Sequence, residues 1–276
     1  MKSCKGTLAF ITGGSSGIGL ALSKQLAVSG AGVVIFARDG ERLAKAAAEI
    51  EAAGACPAGK VGFRKLDVSD HENIMRVMME EVKKRGVPDL LVNNAGRAHP
   101  APFEKIPFEQ FEETMRINLF GVWSACSALV PEMRKRGGAI LNVSSIAGFQ
   151  GVYGFTDYSA SKFAVIGFSE SLRQELLGTG LSVHVLCPPD TDTPGFRREN
   201  MTKPEETKAI SAGAGVLTAD TVAAAALAGV RKGAFLIVPG FDGRFTLLAK
   251  RLAPWLVDFV IDRSIRKVHR AAGRTG

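Results

Sequence analysis

The chain has 276 residues, 46% hydrophobic and 22% charged, which fits one large globular domain and excludes disordered or collagen-like compositions. The formal net charge is +8, but residues 244–276 hold eight Lys/Arg against two Asp, so the preceding 243 residues carry only about +2. No aromatic-interleaved basic groove appears in the body, so no nucleic-acid partner is expected. The N-terminal MKSCKGTLAFITGG lacks the greasy segment of a secretory signal and is read as the start of the fold, and no run is long and apolar enough to span a bilayer. Cys4, Cys56, Cys126 and Cys187 show no CxxC or zinc-ligand spacing, so no metal is expected. They suit a reducing, cytoplasmic setting as buried small hydrophobes.

In chain order, residues 7–12 read as an apolar strand, followed by a glycine-rich turn and a helix over 20–30. A second strand (31–37) leads to an alanine-rich helix (39–54), with Asp39 at a capping position. A third strand (61–68) precedes a helix over 70–86, capped by Ser69 or Asp70, with Met75, Met78 and Met79 as core packing. A strand and turn (88–96) are followed by helical sequence over 109–137, long enough for one extended helix or two joined ones. A fifth strand (138–145), a strong helix (158–178), a sixth strand (181–189), a helix (218–233) and a last strand (234–240) complete the pattern. Continuous apolar strands alternating with helices are buried on both faces, which predicts an α/β, Rossmann-like, doubly wound parallel sheet. The expected division is a reductase domain over 1–243, with a lid at 191–219, and a basic amphipathic extension over 244–276.

The turn Thr12–Gly19 reads TGGSSGIG and sits between the first strand and first helix. Glycines there let backbone N–H groups approach a pyrophosphate at a helix N-terminus, so Gly13, Ser15, Ser16, Gly17, Ile18 and Gly19 are expected to hold a dinucleotide. The second strand ends in Arg38 where an NAD-binding fold would usually place an acid. A guanidinium pairs with a 2′-phosphate, which favours NADPH. Asp67, beside Val68, either accepts a bond from the adenine amino group or caps its own turn. Asn93, Asn94, Ala95 and Gly96 form a turn that lets a cofactor lie close.

The two tyrosines are Tyr153 and Tyr158, and Lys162 lies one helical turn after the second. Ketone reduction by hydride needs a proton donor for the developing alkoxide. A phenol near pKa 10 fits that role poorly unless an ammonium lowers its pKa, which is the expected part for Lys162. Ser145, at the end of the fifth strand, can donate to the same oxygen.

These residues together resemble the short-chain dehydrogenase/reductase family over about residues 7–240. The family's glycine motif falls on Thr12, Gly13, Gly17 and Gly19, its turn motif on Asn93–Gly96, and its catalytic group on Asn118, Ser145, Tyr158 and Lys162. The resemblance implies that Tyr158 is the general acid, Ser145 polarises the carbonyl and Lys162 binds ribose. It also implies that Asn118 holds a water leading from Lys162 to solvent. The family's loop over the nicotinamide and phosphates falls on Pro188 and Thr193, but Pro189 stands where glycine is usual. PPDTDTPGF with the segments around it is similar to the 3-ketodihydrosphingosine reductases, implying NADPH-dependent reduction of a long-chain ketobase. Another ketone, such as a 3-oxoacyl thioester or a steroid, remains open, as does a non-catalytic NADPH-binding scaffold.

The 191–219 segment is longer than an ordinary connection and is read as a lid over a greasy substrate. In 244–270, apolar positions 245, 248, 252, 255, 256 and 259 approximate one helical face, which Pro254 must kink or divide. That face either rests peripherally on a membrane or packs on the domain or a neighbouring subunit. The resemblance further implies a homo-oligomer.

Overall fold

The computed structural model describes residues 5–54 and 60–273, so Cys4 and Cys56 lie outside the described residues. Strand β1 (Leu8–Thr12) feeds α1 (Gly17–Val28), and the alternation continues through β2 (Gly32–Ala37), α2 (Gly40–Ala52), β3 (Val61–Lys65), α3 (His71–Arg85) and β4 (Leu90–Asn93). Helix α4 (Phe108–Met115) passes through a π-helical turn, Arg116–Phe120, directly into α5 (Gly121–Met133). Then come β5 (Gly138–Val143), α6 (Thr156–Glu175) and β6 (Leu181–Leu186). The lid segment holds β7 (Thr191–Asp192), α7 (Pro194–Thr202), α8 (Glu205–Ser211) and β8 (Leu217–Thr218). Helix α9 (Ala219–Arg231), β9 (Leu236–Ile237), α10 (Phe241–Leu252) and α11 (Pro254–Ala271) complete the order.

Seven strands form one parallel sheet in the order β3-β2-β1-β4-β5-β6-β9, the doubly wound architecture expected. Successive residues of β1 explain why its apolar run is unbroken. Ala9 and Ile11 pack with Leu22, Leu26, Val222 and Ala226 on one face. Phe10 packs with Ile74, Met78, Val122 and Leu129 on the other. Both faces are covered, so strand residues of either parity must be apolar.

The order of connections reverses between β1 and β4, which opens a crevice at the carboxyl ends of those strands. Thr12 is in register with Asn93, and Asn93 with Asn142, so the ends of β1, β4 and β5 lie side by side. This register brings residues far apart in sequence to one sheet edge.

Several boundaries differ from expectation for local reasons. Strand β6 stops at Leu186 and does not run to Pro189, because Pro188 and Pro189 carry no N–H for a ladder. Strand β3 stops at Lys65, leaving Asp67 and Val68 in the following turn. The lid is mostly ordered secondary structure: Thr193 caps α7 by accepting from the Phe196 N–H at 3.1 Å, with Pro194 in its first turn. Pro254 divides the tail, standing in the first turn of α11. Asp39 and Asp70 cap α2 and α3 with their carboxylates, and Cys126, Cys187 and Met78 are buried.

Candidate active site

The turn after β1 is tight because its glycines leave no room for side chains. Gly13 and Gly17 have φ of 65° and 55°, where a Cβ is strained. A Cβ on Gly19 would meet the Gly13 carbonyl oxygen at 2.3 Å and Asn94 Nδ2 at 2.5 Å. The Asn94 amide fastens this turn to β4, donating to the carbonyls of Thr12 (3.0 Å) and Gly13 (3.1 Å). Thr12 Oγ1 accepts from the N–H groups of Asn94 and Ala95 at 3.0 and 3.1 Å. Ser15, Ser16 and Ile18 line the partly exposed opening of α1, and the methyl of Thr193 lies 3.0 Å from a Cβ built on Gly17. The lid therefore begins directly over the glycine turn. A cradle that glycine alone keeps open, at a helix N-terminus, fits a dinucleotide pyrophosphate.

Arg38 is exposed just beyond the end of β2. Asp67 Oδ1 accepts from both the N–H and the hydroxyl of Ser69, at 2.9 and 2.8 Å, so that oxygen is spent on its own turn. Val68 packs under α5, where a Cβ on Gly121 would meet the Val68 carbonyl at 2.7 Å. Pro188 accepts the Ile146 N–H at 3.1 Å, joining the lid entrance to the end of β5. The proline pair leaves a regular path, with the Asp190 carbonyl accepting from Leu217 N–H at 3.0 Å.

Tyr158 lies in the first turn of α6. The Ser145 hydroxyl is within hydrogen-bonding reach of its phenol and also caps the short turn Ile146–Gly148. Lys162 is 3% exposed, donates from Nζ to the Val143 carbonyl at 2.9 Å and sits 5.6 Å from the centre of the Tyr158 ring. Ser144 Oγ donates to the Lys162 carbonyl at 2.8 Å, a second stitch between β5 and α6. Asn118 is fully buried in the π-helical turn. Its Oδ1 accepts from Arg97 N–H (2.8 Å), and its Nδ2 donates to the Arg97 carbonyl (2.9 Å) and Ser161 Oγ (3.0 Å). A Cβ on Gly96 would lie 3.3 Å from Asn118 Oδ1 and 3.4 Å from Lys162 Nζ, so the three residues converge. Ser145, Tyr158, Lys162, Asn118 and the Asn94–Gly96 turn thus surround one crevice.

Electrostatics correct one expectation. Burial, then the nearby Glu199 carboxylate, push the Tyr158 phenol above its ordinary value, and the Ser145 bond only partly offsets them. The expected lowering by Lys162 is not among the influences that set the phenol's acidity here, and burial pulls Lys162 itself down to about 8.

Asp157 and Glu199 carry no sequence signal of a site. The Asp157 carboxylate is buried against Thr114 Oγ1 at 2.8 Å and the Tyr158 N–H at 2.7 Å, anchoring the start of α6 to α4. Glu199 becomes visible only once α7 is known to be a helix, with Phe196 and Glu199 half-buried along one side and Lys203 buried just past its end.

A family model described as short chain dehydrogenase matches residues 7–204. The chain is 38% identical over 235 residues to a 3-dehydrosphinganine reductase of Danio rerio, covering 84% of this chain and 71% of that protein. Its fold is similar to that of a short-chain dehydrogenase/reductase from Burkholderia phymatum in complex with NAD, with a TM-score of 0.79, 25% identity and coverage of 94% and 96%. It is also similar to an alcohol dehydrogenase from Thermococcus sibiricus complexed with 5-hydroxy-NADP, with a TM-score of 0.70, 26% identity and coverage of 84% and 95%.

The Lys162 shift has a measurable consequence. The native state releases this proton near pH 8, whereas an unfolded lysine holds it to about 10.5. Between those values the unfolded state holds a proton the native lysine has lost, so the contribution of Lys162 to stability rises with pH. Buried Cys126 and Cys187, both pushed up to about 12, oppose it from about 9 upward, and the raised Tyr158 from about 10. Wild type and Lys162→Met share those opposing groups, so in urea unfolding the stability difference between them is expected to shift toward wild type from about pH 7.5 to about 9.5, and parallel curves would contradict it. On this sequence, fold and site, the chain belongs to the short-chain dehydrogenase family and is an oxidoreductase.

Proposed function

We propose that the protein reduces the C3 ketone of 3-ketodihydrosphingosine to the alcohol, using NADPH. The observation that carries this reading is the convergence of Ser145, Tyr158 and Lys162 at the crevice beside the glycine turn, in a chain 38% identical to a 3-dehydrosphinganine reductase. The glycine turn (Gly13, Ser15, Ser16, Gly17, Ile18, Gly19) would hold the pyrophosphate, Asp67 and Val68 would flank the adenine, and Arg38 would pair with the 2′-phosphate. Asn94, Ala95, Gly96, Pro188 and Thr193 would enclose the nicotinamide end, which supplies the hydride when bound. Arg38 supports NADPH over NADH, since a guanidinium at this place rewards a phosphate and a carboxylate would repel it.

Tyr158 gives its phenolic proton to the carbonyl oxygen as negative charge develops there, and Ser145 donates a hydrogen bond to the same atom. Burial keeps the phenol protonated across the neutral range, so the acid is present when needed. Lys162, fixed by Val143 and Ser144, orients the ribose and returns a proton to Tyr158 after each turnover. Asn118 holds the Arg97 main chain and Ser161, keeping the path beside Lys162 in shape. The lid over 191–219 closes the crevice to water. In an assay of long-chain ketobase against an acyl-thioester panel, the ketobase with NADPH is expected to turn over best. Tyr158→Phe is expected to lower kcat by about 10²- to 10⁴-fold, and Arg38→Ala to lose most of the preference for NADPH over NADH. Preferential turnover of the thioesters would refute the substrate assignment.

The tail suits a poorly soluble substrate. Phe245, Leu248, Leu252, Trp255, Leu256 and Phe259 are all exposed, flanked by Arg251, Arg263, Lys267 and Arg270. No helix among the described residues is long and apolar enough to cross a membrane. We place α10 and α11 in the headgroup region of an anionic bilayer, with the enzyme peripheral on the cytoplasmic side. Co-sedimentation with phosphatidylglycerol vesicles is expected, weakened by salt and by Trp255→Glu with Phe259→Glu. Equal sedimentation of the double variant would contradict it.

The π-helical turn, α5 and α6 frame a groove of about 590 Å³ lined by Phe120, Trp123 and Phe168, of which Phe120 and Trp123 are exposed. A second copy of the chain is the proposed occupant. Light scattering is expected to give a multiple of 29.3 kDa, reduced by Trp123→Glu, and a monomeric wild type would remove the proposal.

A further inference from the structure

Helix α4 and the π-helical turn after it carry a stripe of polar side chains spaced four residues apart, Gln110, Thr114 and Asn118. Asn118 holds Ser161 of α6, with Nδ2 3.0 Å from Ser161 Oγ. One turn earlier on both elements, Thr114 Oγ1 donates to Asp157 Oδ2 at 2.8 Å. All four residues are buried, so two parallel rungs join α4 to α6 in the interior. Gln110 Nε2 adds a bond to Asp157 Oδ2 at 3.2 Å and also donates to the His99 carbonyl at 2.9 Å, which ties the loop after Gly96 to the same carboxylate. Asp157 is second in α6, where the helix dipole favours its charge, and its Oδ1 accepts the Tyr158 N–H at 2.7 Å. Each rung stands one residue before a member of the reacting pair, Asp157 before Tyr158 and Ser161 before Lys162.

The rung at Ser161 alone would leave α6 free to turn about a single point. A second bond about 6 Å further along the axis removes that freedom, because a hydrogen bond weakens steeply once its distance or angle changes. Apolar contact between the same two helices would tolerate the turn, since it carries no direction. The phenol is sensitive to it: at about 6 Å from a helix axis, a rotation of about 10° moves a side-chain tip by about 1 Å. A misplacement of that size costs up to about 10²-fold in rate. We propose that Asp157 is a positioning residue for Tyr158, gripping Thr114 so that the phenol keeps its approach to Ser145 and to the carbonyl it protonates. The inference rests on Tyr158 as the proton donor and goes beyond it, placing control of the donor's aim in a buried carboxylate and the helix packed beside it.

The readout is the single-turnover rate of NADPH oxidation with whichever ketone of the panel above turns over fastest, measured beside NADPH affinity and thermal midpoint. Thr114→Val, which exchanges one hydroxyl for a methyl, and Asp157→Ala are each expected to slow that rate about 10- to 100-fold with NADPH affinity unchanged. Thr114→Ser keeps the donor and is expected to restore the rate. Coupling to Ser145 separates aim from stability. In a Ser145→Ala background the phenol has lost one of the groups it is aimed at, so Thr114→Val should cost less there than in wild type, whereas a general loosening of the fold would multiply in full. Full multiplication, or a lowered thermal midpoint with the rate unchanged, would overturn the role of Asp157 while a slow Tyr158→Phe enzyme leaves the proton-donor reading standing. A Tyr158→Phe enzyme as fast as wild type would overturn that reading and this inference together.

Discussion

The geometry of the site depends on one join, between the end of β5 and the first turns of α6. Lys162 is buried there with its amine on the Val143 carbonyl, and Ser144 reaches back to the Lys162 carbonyl. A polar ladder continues beneath them: Asn93 Nδ2 donates to Asn142 Oδ1 at 2.8 Å, and Asn142 Nδ2 to Ser169 Oγ at 2.9 Å. These groups are buried, so each unmade bond would cost free energy, and satisfying them admits one seating of α6 on the sheet. That seating brings Tyr158 to Ser145. The cost is a buried ammonium whose pKa is pulled down to about 8.

The same join explains what the sequence could and could not reveal. The doubly wound sheet was legible because strands buried on both faces must be continuously apolar, and residues 8–11, 31–37 and 138–141 are. The glycine turn was legible because close backbone approach excludes side chains, a constraint written directly into residue type. Asn118 showed only as a polar break in a helix until the π-helical turn set its amide against Arg97 and Ser161. The sign of the Tyr158 shift was not legible at all. Spacing put an amine near the phenol, but burial and a carboxylate from forty-one residues downstream decide the balance. Desolvation is a property of the packed chain, and no local pattern encodes it.

The lid illustrates the same limit from another side. Its length and prolines read as a loop, yet Thr193 and Pro194 start one helix and Pro204 precedes another. Short capped helices escape periodicity because they hold too few residues to display it. Once they form, the polar residues of 196–203 acquire an inside and an outside, and Glu199 falls on the inside.

The lid is also fastened at its far end. Thr207 in α8 donates to the Tyr153 carbonyl at 2.7 Å, just ahead of α6, and Glu206 meets His269 of α11 at 3.1 Å. Helix α8 therefore touches both the approach to the catalytic helix and the last helix of the tail. A force that shifts α11 acts on α8 through this contact, and α8 leads by two residues to α7 and Glu199.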